Sequence, residues 1–142
     1  MLVTNYDYSE LFLFNISTDT ATYTNSGGSP VTLSMGAIIG RIGSSNLVVA
    51  QVSTATDGSQ IPAGILAANY TVAAGASQVV TFAIAGEINS GGVVFGGSDT
   101  LTTEIFTNGG AALLGTIKDI LQGKGIILKG STNLNYFDRQ GS

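Results

Sequence analysis

The chain has no cysteine and no histidine. Without cysteine it has neither disulfides nor thiolate metal sites, and its redox compartment is not legible from thiol usage. Without histidine it lacks the usual general base near neutral pH and the commonest transition-metal ligand, which argues against an enzyme. Charge is scarce as well. Charged residues make up 10% of the 142 positions, against about 25% in an ordinary globular protein, so an oligomer or a partner-covered surface is expected. The five basic residues are Arg41, Lys118, Lys124, Lys129 and Arg139, in a chain of net charge -4. They form no stripe able to neutralise phosphates, so direct nucleic-acid binding is not expected. No basic residue precedes the first apolar section, so no secretory signal is expected. The charge-free segment Gly58 to Gly86 is long enough for a membrane span, but Pro62, Asn69, Tyr70, Ser77 and Gln78 cut it into strand-sized pieces of a sheet, and no membrane partner is expected.

What is present is glycine, 20 residues of it, in a β rhythm. From Gly36 to Asn89, apolar runs of strand length alternate with Gly, Ser, Asn and Asp clusters. Strands are expected in VTLSMGAIIGRI, LVVAQV, IPAGIL and SQVVTFAIAG, with Leu47, Val49 and Gln51 on one face of the second. Gly40 permits a bend or a close backbone approach, and Asp57-Gly58 is a turn signal. Leu113, Leu114, Ile117, Ile120 and Leu121 carry helical spacing, which predicts a helix over Ala111–Gln122, or a shorter one capped by Thr116, with Gly123 at its end. GIILKG reads as a closing strand. The fold class is mainly β with one short helix near the end of the chain. Three regions are expected: an arm and linker over 1–30, a β domain over 31–130, and a polar tail over 131–142.

The first section is dense in aromatic residues, with Tyr6, Tyr8, Phe12 and Phe14 in MLVTNYDYSELFLFNI, followed by the Thr- and Ser-rich tract 17–30. Two readings stand: an ordinary strand of the sheet, or an adhesive arm on a polar linker. Chemistry is sparse elsewhere. Gly123-Lys124 fails the phosphate-loop pattern, because Lys118 stands where a glycine is needed and Gly125 where a hydroxyl is needed. Asp57, Glu87, Asp99 and Glu104 lack calcium-loop spacing and read as separate surface carboxylates. Arg41 ends an apolar run, and two readings stand: a buried or interface Arg paired with a carboxylate, Glu87 the leading structural partner and Asp57 an alternative, or a partly exposed strand-end Arg with a solvated head.

The ordered pieces Gly36, Gly40-Arg41-Ile42, Asp57-Gly58-Ser59-Gln60, Pro62-Ala63-Gly64-Ile65-Leu66, Gly75 and Gly86-Glu87-Ile88-Asn89 together resemble the lambda-type head decoration protein family of tailed bacteriophages, over about Ser34 to Leu128. The resemblance implies a β-clip-like bent ribbon or small incomplete barrel, assembled as a homotrimer on the outer capsid surface of the virion. It also implies an arm that orders against the major capsid protein, for which Tyr6, Tyr8, Leu11, Phe12, Phe14 and Ile16 are the candidate capsid-binding residues. The aromatic section and the Thr/Ser tract look more elaborate than the family's arm. No catalytic residue, cofactor or metal is expected. A carbohydrate-binding module of a fibre or surface assembly is the alternative, and a trimeric β-clip nucleotide hydrolase is a weaker one.

Overall fold

A computed structural model describes residues 11–129, apart from 44, 108, 109 and 111 and the side chain of Phe14. Its organising element is a strand of 13 residues, β7 (Ser77–Asn89). The strand β1 (Phe12–Thr24) runs antiparallel along one edge of β7, from Phe12 opposite Ile88 to Thr24 opposite Ser77. The other edge of β7 is shared. Its middle pairs with β5 (Pro62–Leu66), and its last residues pair in parallel with β10 (Ile126–Lys129). Beyond β5 come β3 (Ile38–Arg41) and β4 (Val48–Ala50), both antiparallel to their neighbours. Two small ladders complete the chain: β2 (Val31–Leu33) with β6 (Tyr70–Val72), and β8 (Glu104–Phe106) with β9 (Leu113–Thr116).

Side chains on a strand alternate between faces, and here both faces of the main sheet are covered. Ile38, Ile65 and Ala83 join Ile88, Ile105, Ile117, Leu121 and Ile126 in one core. Their sequence neighbours Ile39, Leu66 and Phe82 join Ala21, Val48 and Val80 in a second. Ala21 and Val48 come from the strands at opposite ends of the sheet order, so the sheet wraps around this second core. The two ends meet at one bridge, Thr22 to Leu47, with the Thr22 N–H donating to the Asn46 carbonyl at 3.0 Å. The sheet remains open.

Helix α1 (Ile117–Gly123) lies over the first core and buries Ile117 and Leu121. A seven-residue helix has little stability of its own and depends on that packing. Its start is set by a capping box, in which Thr116 Oγ1 accepts from the Asp119 N–H and Asp119 Oδ2 accepts from the Thr116 N–H, each at 3.2 Å. The longer helix predicted from Ala111 does not form; Ala111 itself lies outside the described residues. Gly115 sits at φ 127, outside helical space, and Leu113–Thr116 is spent on the ladder with β8. The helix ends at Gly123 as expected, with Lys124 as its C-cap and a left-handed residue following at Gly125 (φ 95).

The expected linker over 17–30 is corrected over its first part, to Thr24. Ser17–Thr24 is the second half of β1, because its alternation of Thr with Ala21 and Tyr23 gives one polar face and one face that packs on the second core. Tyr70–Val72 is a strand that sequence patterning did not single out. In LVVAQV it is Val48 and Gln51 that are buried, while Leu47 is exposed. Gly40 is a close approach: a β-carbon there would collide with the Ser59 carbonyl.

Candidate capsid-binding end of the sheet

The chain enters the sheet at Leu11, whose carbonyl accepts from the Asn89 N–H at 2.7 Å. Its side chain is 6% exposed and belongs to the first core. It fits there because residues 36 and 92 are glycines; a β-carbon on Gly92 would stand 3.0 Å from Leu11 Cδ1. Leu11 is therefore a core anchor, not an exposed contact. Phe12 and Ile16 are half-buried against the same core. Phe14 lies opposite Glu87 in the ladder, and its side chain is outside the described set. Tyr6 and Tyr8 lie outside the described residues.

Between Phe12 and Thr18 the register of β1 shifts three times against β7. Asn15 takes φ 56 there, in the left-handed region, and Gly86 across from it takes φ 126. A β-carbon on Gly86 would stand 2.6 Å from Ile16 Cδ1 and 2.9 Å from the Asn15 carbonyl oxygen. The bulged stretch thus presses directly on a glycine backbone, and bulges of this kind bend a strand and re-aim the residues on either side. On the N-terminal side those residues are the aromatic section.

The expected Arg41–Glu87 pair is not formed. Arg41 Nη2 lies 4.0 Å from Asp19 Oδ2, its Nη1 donates to Asn46 Oδ1 at 2.8 Å, and its guanidinium stands 5.9 Å from the centre of the Phe82 ring. Glu87 instead lies 4.0 Å from Lys129 Nζ, because β10 pairs alongside this end of β7. Both pairs are partly solvated and each contributes about 0.2–1 kcal/mol. Arg41 thus closes the rim of the second core, far in register from Glu87.

The other carboxylates are dispersed as the spacing implied. Asp57 accepts from the Ser59 N–H at 3.0 Å and from the Ser59 hydroxyl, and these two bonds hold its carboxyl below the ordinary value. Asp99 accepts from the Ser53 N–H at 2.8 Å and its hydroxyl at 2.6 Å. Among the described residues no three His, Cys, Asp or Glu side chains converge on a possible metal site.

The family model for bacteriophage lambda head decoration protein D matches residues 11–113. The chain belongs to that family. It is thereby a structural component of a bacteriophage capsid, with a capsid decoration role. Comparison with curated proteins gives no match. The matched region begins at Leu11, earlier than the Ser34 start of the sequence resemblance, so the Thr/Ser tract belongs to the family domain instead of departing from it. It ends at Leu113, leaving α1 and β10 outside the match.

Sequence reasoning missed one surface feature. Phe106 on β8 pairs with Leu113 on β9, and both are exposed, as is the adjacent Leu114. Leu113 and Leu114 point to opposite faces of the strand, so the Phe106–Leu114 end of this ribbon is exposed, while Ile105 beside it is buried in the first core. Gly109-Gly110 between the two apolar runs is the hairpin signal that would have revealed it.

Proposed function

We propose that the protein binds the outside of the expanded capsid as a homotrimer and holds neighbouring major capsid protein subunits together against the pressure of packaged DNA. The observation that carries this reading, beyond family membership, is the anchored entry of the chain at Leu11. Residues 1–10, with Tyr6 and Tyr8, run directly into a strand whose first residue beyond the anchor is tied to the core. An adhesive segment attached this way transmits load to the whole sheet through β1 and β7. Phe12, Phe14 and Ile16 continue the contact at the bulged stretch. The curled open sheet and the bent β1–β7 ribbon are consistent with a β-clip.

Ordering a free arm costs roughly 1–2 kcal/mol per residue, while each buried apolar side chain returns about 1.5–3 kcal/mol. One arm alone therefore binds weakly, and three arms on one trimer gain by avidity. The low charge content and the exposed apolar residues support an assembled rather than a solitary protein.

The test is co-sedimentation with expanded capsids of the source phage, comparing the intact chain with one lacking residues 1–10. The cut falls before Leu11, since a longer deletion would remove β1 from the sheet. Native mass measurement reads the oligomer in both. Trimers in both samples with capsid binding only by the intact chain support the clamp. Equal binding by both moves the contact onto the β domain, and a monomer in both overturns the trimer.

A further inference from the structure

Uncovered apolar surface gathers at two places on the chain. One is an open cleft of about 180 Å³ between β2, β3, β4 and the segment after β7, lined chiefly by Leu33, Ala37, Ile38, Ala50, Val94 and Phe95. It is smaller than the roughly 300–1,000 Å³ of small-molecule sites and has no charged lining residue, so it suits one or two apolar side chains. The other is the end of the β8–β9 ribbon, where Phe106 and Leu113 face each other across the ladder, both exposed, with Leu114 beside them. The stretch from Ile105 to Ile117 is likewise free of charge. The remaining exposed large apolar side chains among the described residues form no such group. Met35 follows Ser34 of the cleft wall and Val94 lines the cleft, Leu47 and Val79 are separated by Thr22, and Ile127 stands apart on β10.

Within one chain the two places stay separate: Phe106 and Leu113 are exposed, and neither lines the cleft. We propose that the Phe106–Leu113 pair of one copy docks in the cleft of the next, and that this head-to-tail contact joins the homotrimer proposed above, on which the inference rests. Two different patches of one chain that fit each other make a heterologous contact, which closes into a ring when the rotation between the patches allows it and otherwise grows as a filament. Here a buried amide path holds that rotation. The Phe106 carbonyl accepts from Gln60 Nε2 at 3.2 Å, and the Gln60 carbonyl accepts from Gln51 Nε2 at 2.7 Å. Gln51 follows Ala50 of the cleft wall, and its N–H donates to the Ile38 carbonyl at 2.9 Å. Both glutamines are buried, so the path ties the ribbon to the cleft through the interior. Because both surfaces are uncharged, docking them strands no buried charge.

Native mass measurement of the full chain, at one protomer concentration, compares the parent with Phe106→Ser/Leu113→Ser and with Ala50→Arg. All three positions are exposed, so the variants keep the fold, which circular dichroism checks. The parent is expected as a trimer and each variant as a monomer. A monomeric parent overturns the trimer itself, whereas a trimeric parent with trimeric variants overturns only the docking. Trimeric variants that no longer co-sediment with capsids also overturn it, and assign the surface to the capsid protein. Because the chain has no cysteine, an Ala112→Cys/Ser34→Cys variant reads the contact with the apolar side chains intact. After mild oxidation a disulfide-linked trimer is the expected product. A disulfide within one chain, a linked dimer as the end product of ribbon meeting ribbon, or free thiols overturns the proposal.

Discussion

Replacing Gly86 with alanine tests the bulged junction between β1 and β7 more directly than any other single change. Gly86 stands at φ 126, where an L side chain is strained, and its new β-carbon would lie 2.6 Å from Ile16 Cδ1, 2.9 Å from the Asn15 oxygen and 2.9 Å from Ile16 Cα. Two of those three atoms are backbone, so a rotamer change of Ile16 relieves only part of the clash. The strained backbone costs about 1–3 kcal/mol, and overpacking of a fitted site costs about 1–3 kcal/mol more. Gly86→Ala is therefore expected to lose roughly 2–6 kcal/mol, a large share of the ~5–15 kcal/mol that holds a domain together. Urea denaturation at fixed protomer concentration measures it, the concentration being held because assembly shifts apparent stability. Two controls separate the causes. Gly75→Ala meets nothing within 4 Å but has φ 73, so it reports backbone strain alone, at about 1–2 kcal/mol. Gly28→Ala meets nothing and carries no positive φ, so it should stay within about 0.5 kcal/mol of the parent. A Gly86→Ala loss no greater than that of Gly75→Ala would refute the close approach of β1 to β7 at this bulge.

The same contacts set three further outcomes. Leu11→Ala is expected to cost about 2–5 kcal/mol by chemical denaturation, since the side chain fills space between Gly36 and Gly92 in the core; a loss under about 1 kcal/mol would mean Leu11 is not an anchor. Thr116→Ala removes the acceptor for the Asp119 N–H and should cost about 0.5–2 kcal/mol, with Thr116→Ser recovering most of it in the same assay. The turn at Asp57 is pH-linked: its carboxyl is lowered in the folded state from 3.8 by its bonds from Ser59, so its stabilisation is present above pH 3.8 and is lost as pH falls through the lower folded value. Asp57→Asn keeps an acceptor and should flatten that part of a Tm-against-pH profile, and an unchanged acid limb would refute the linkage.

The β character of the chain was readable because turn residues and apolar runs are local signals. IPAGIL and SQVVTFAIAG became β5 and the first part of β7, and GIILKG contains β10. The misreadings share one cause. Leu113 and Leu114 have helical spacing with Ile117 and Leu121, yet spacing alone does not reveal that Gly115 takes φ 127 and that the Ile117 N–H is engaged by the Thr103 carbonyl. The tract from Ser17 to Thr24 is polar enough for a linker, and only its long-range ladder with β7 makes it a strand. The partner of Arg41 was misassigned for the same reason: Asp19 reaches it only because the sheet curls until β1 and β4 meet.

Composition and local pattern alone determined that this is a charge-poor, glycine-rich β protein with one helix near Gly123, and the order of its short motifs pointed to a head decoration protein. Those features depend on residue type and near neighbours, which a linear sequence carries in full. Tertiary structure decided which strands pair, which side chains form each of the two cores, and that the chain enters its sheet at Leu11 beside Asn89. It also decided that Phe106 and Leu113 remain exposed. These depend on contacts between residues distant in the chain, where a single register shift or glycine close approach changes what a side chain meets.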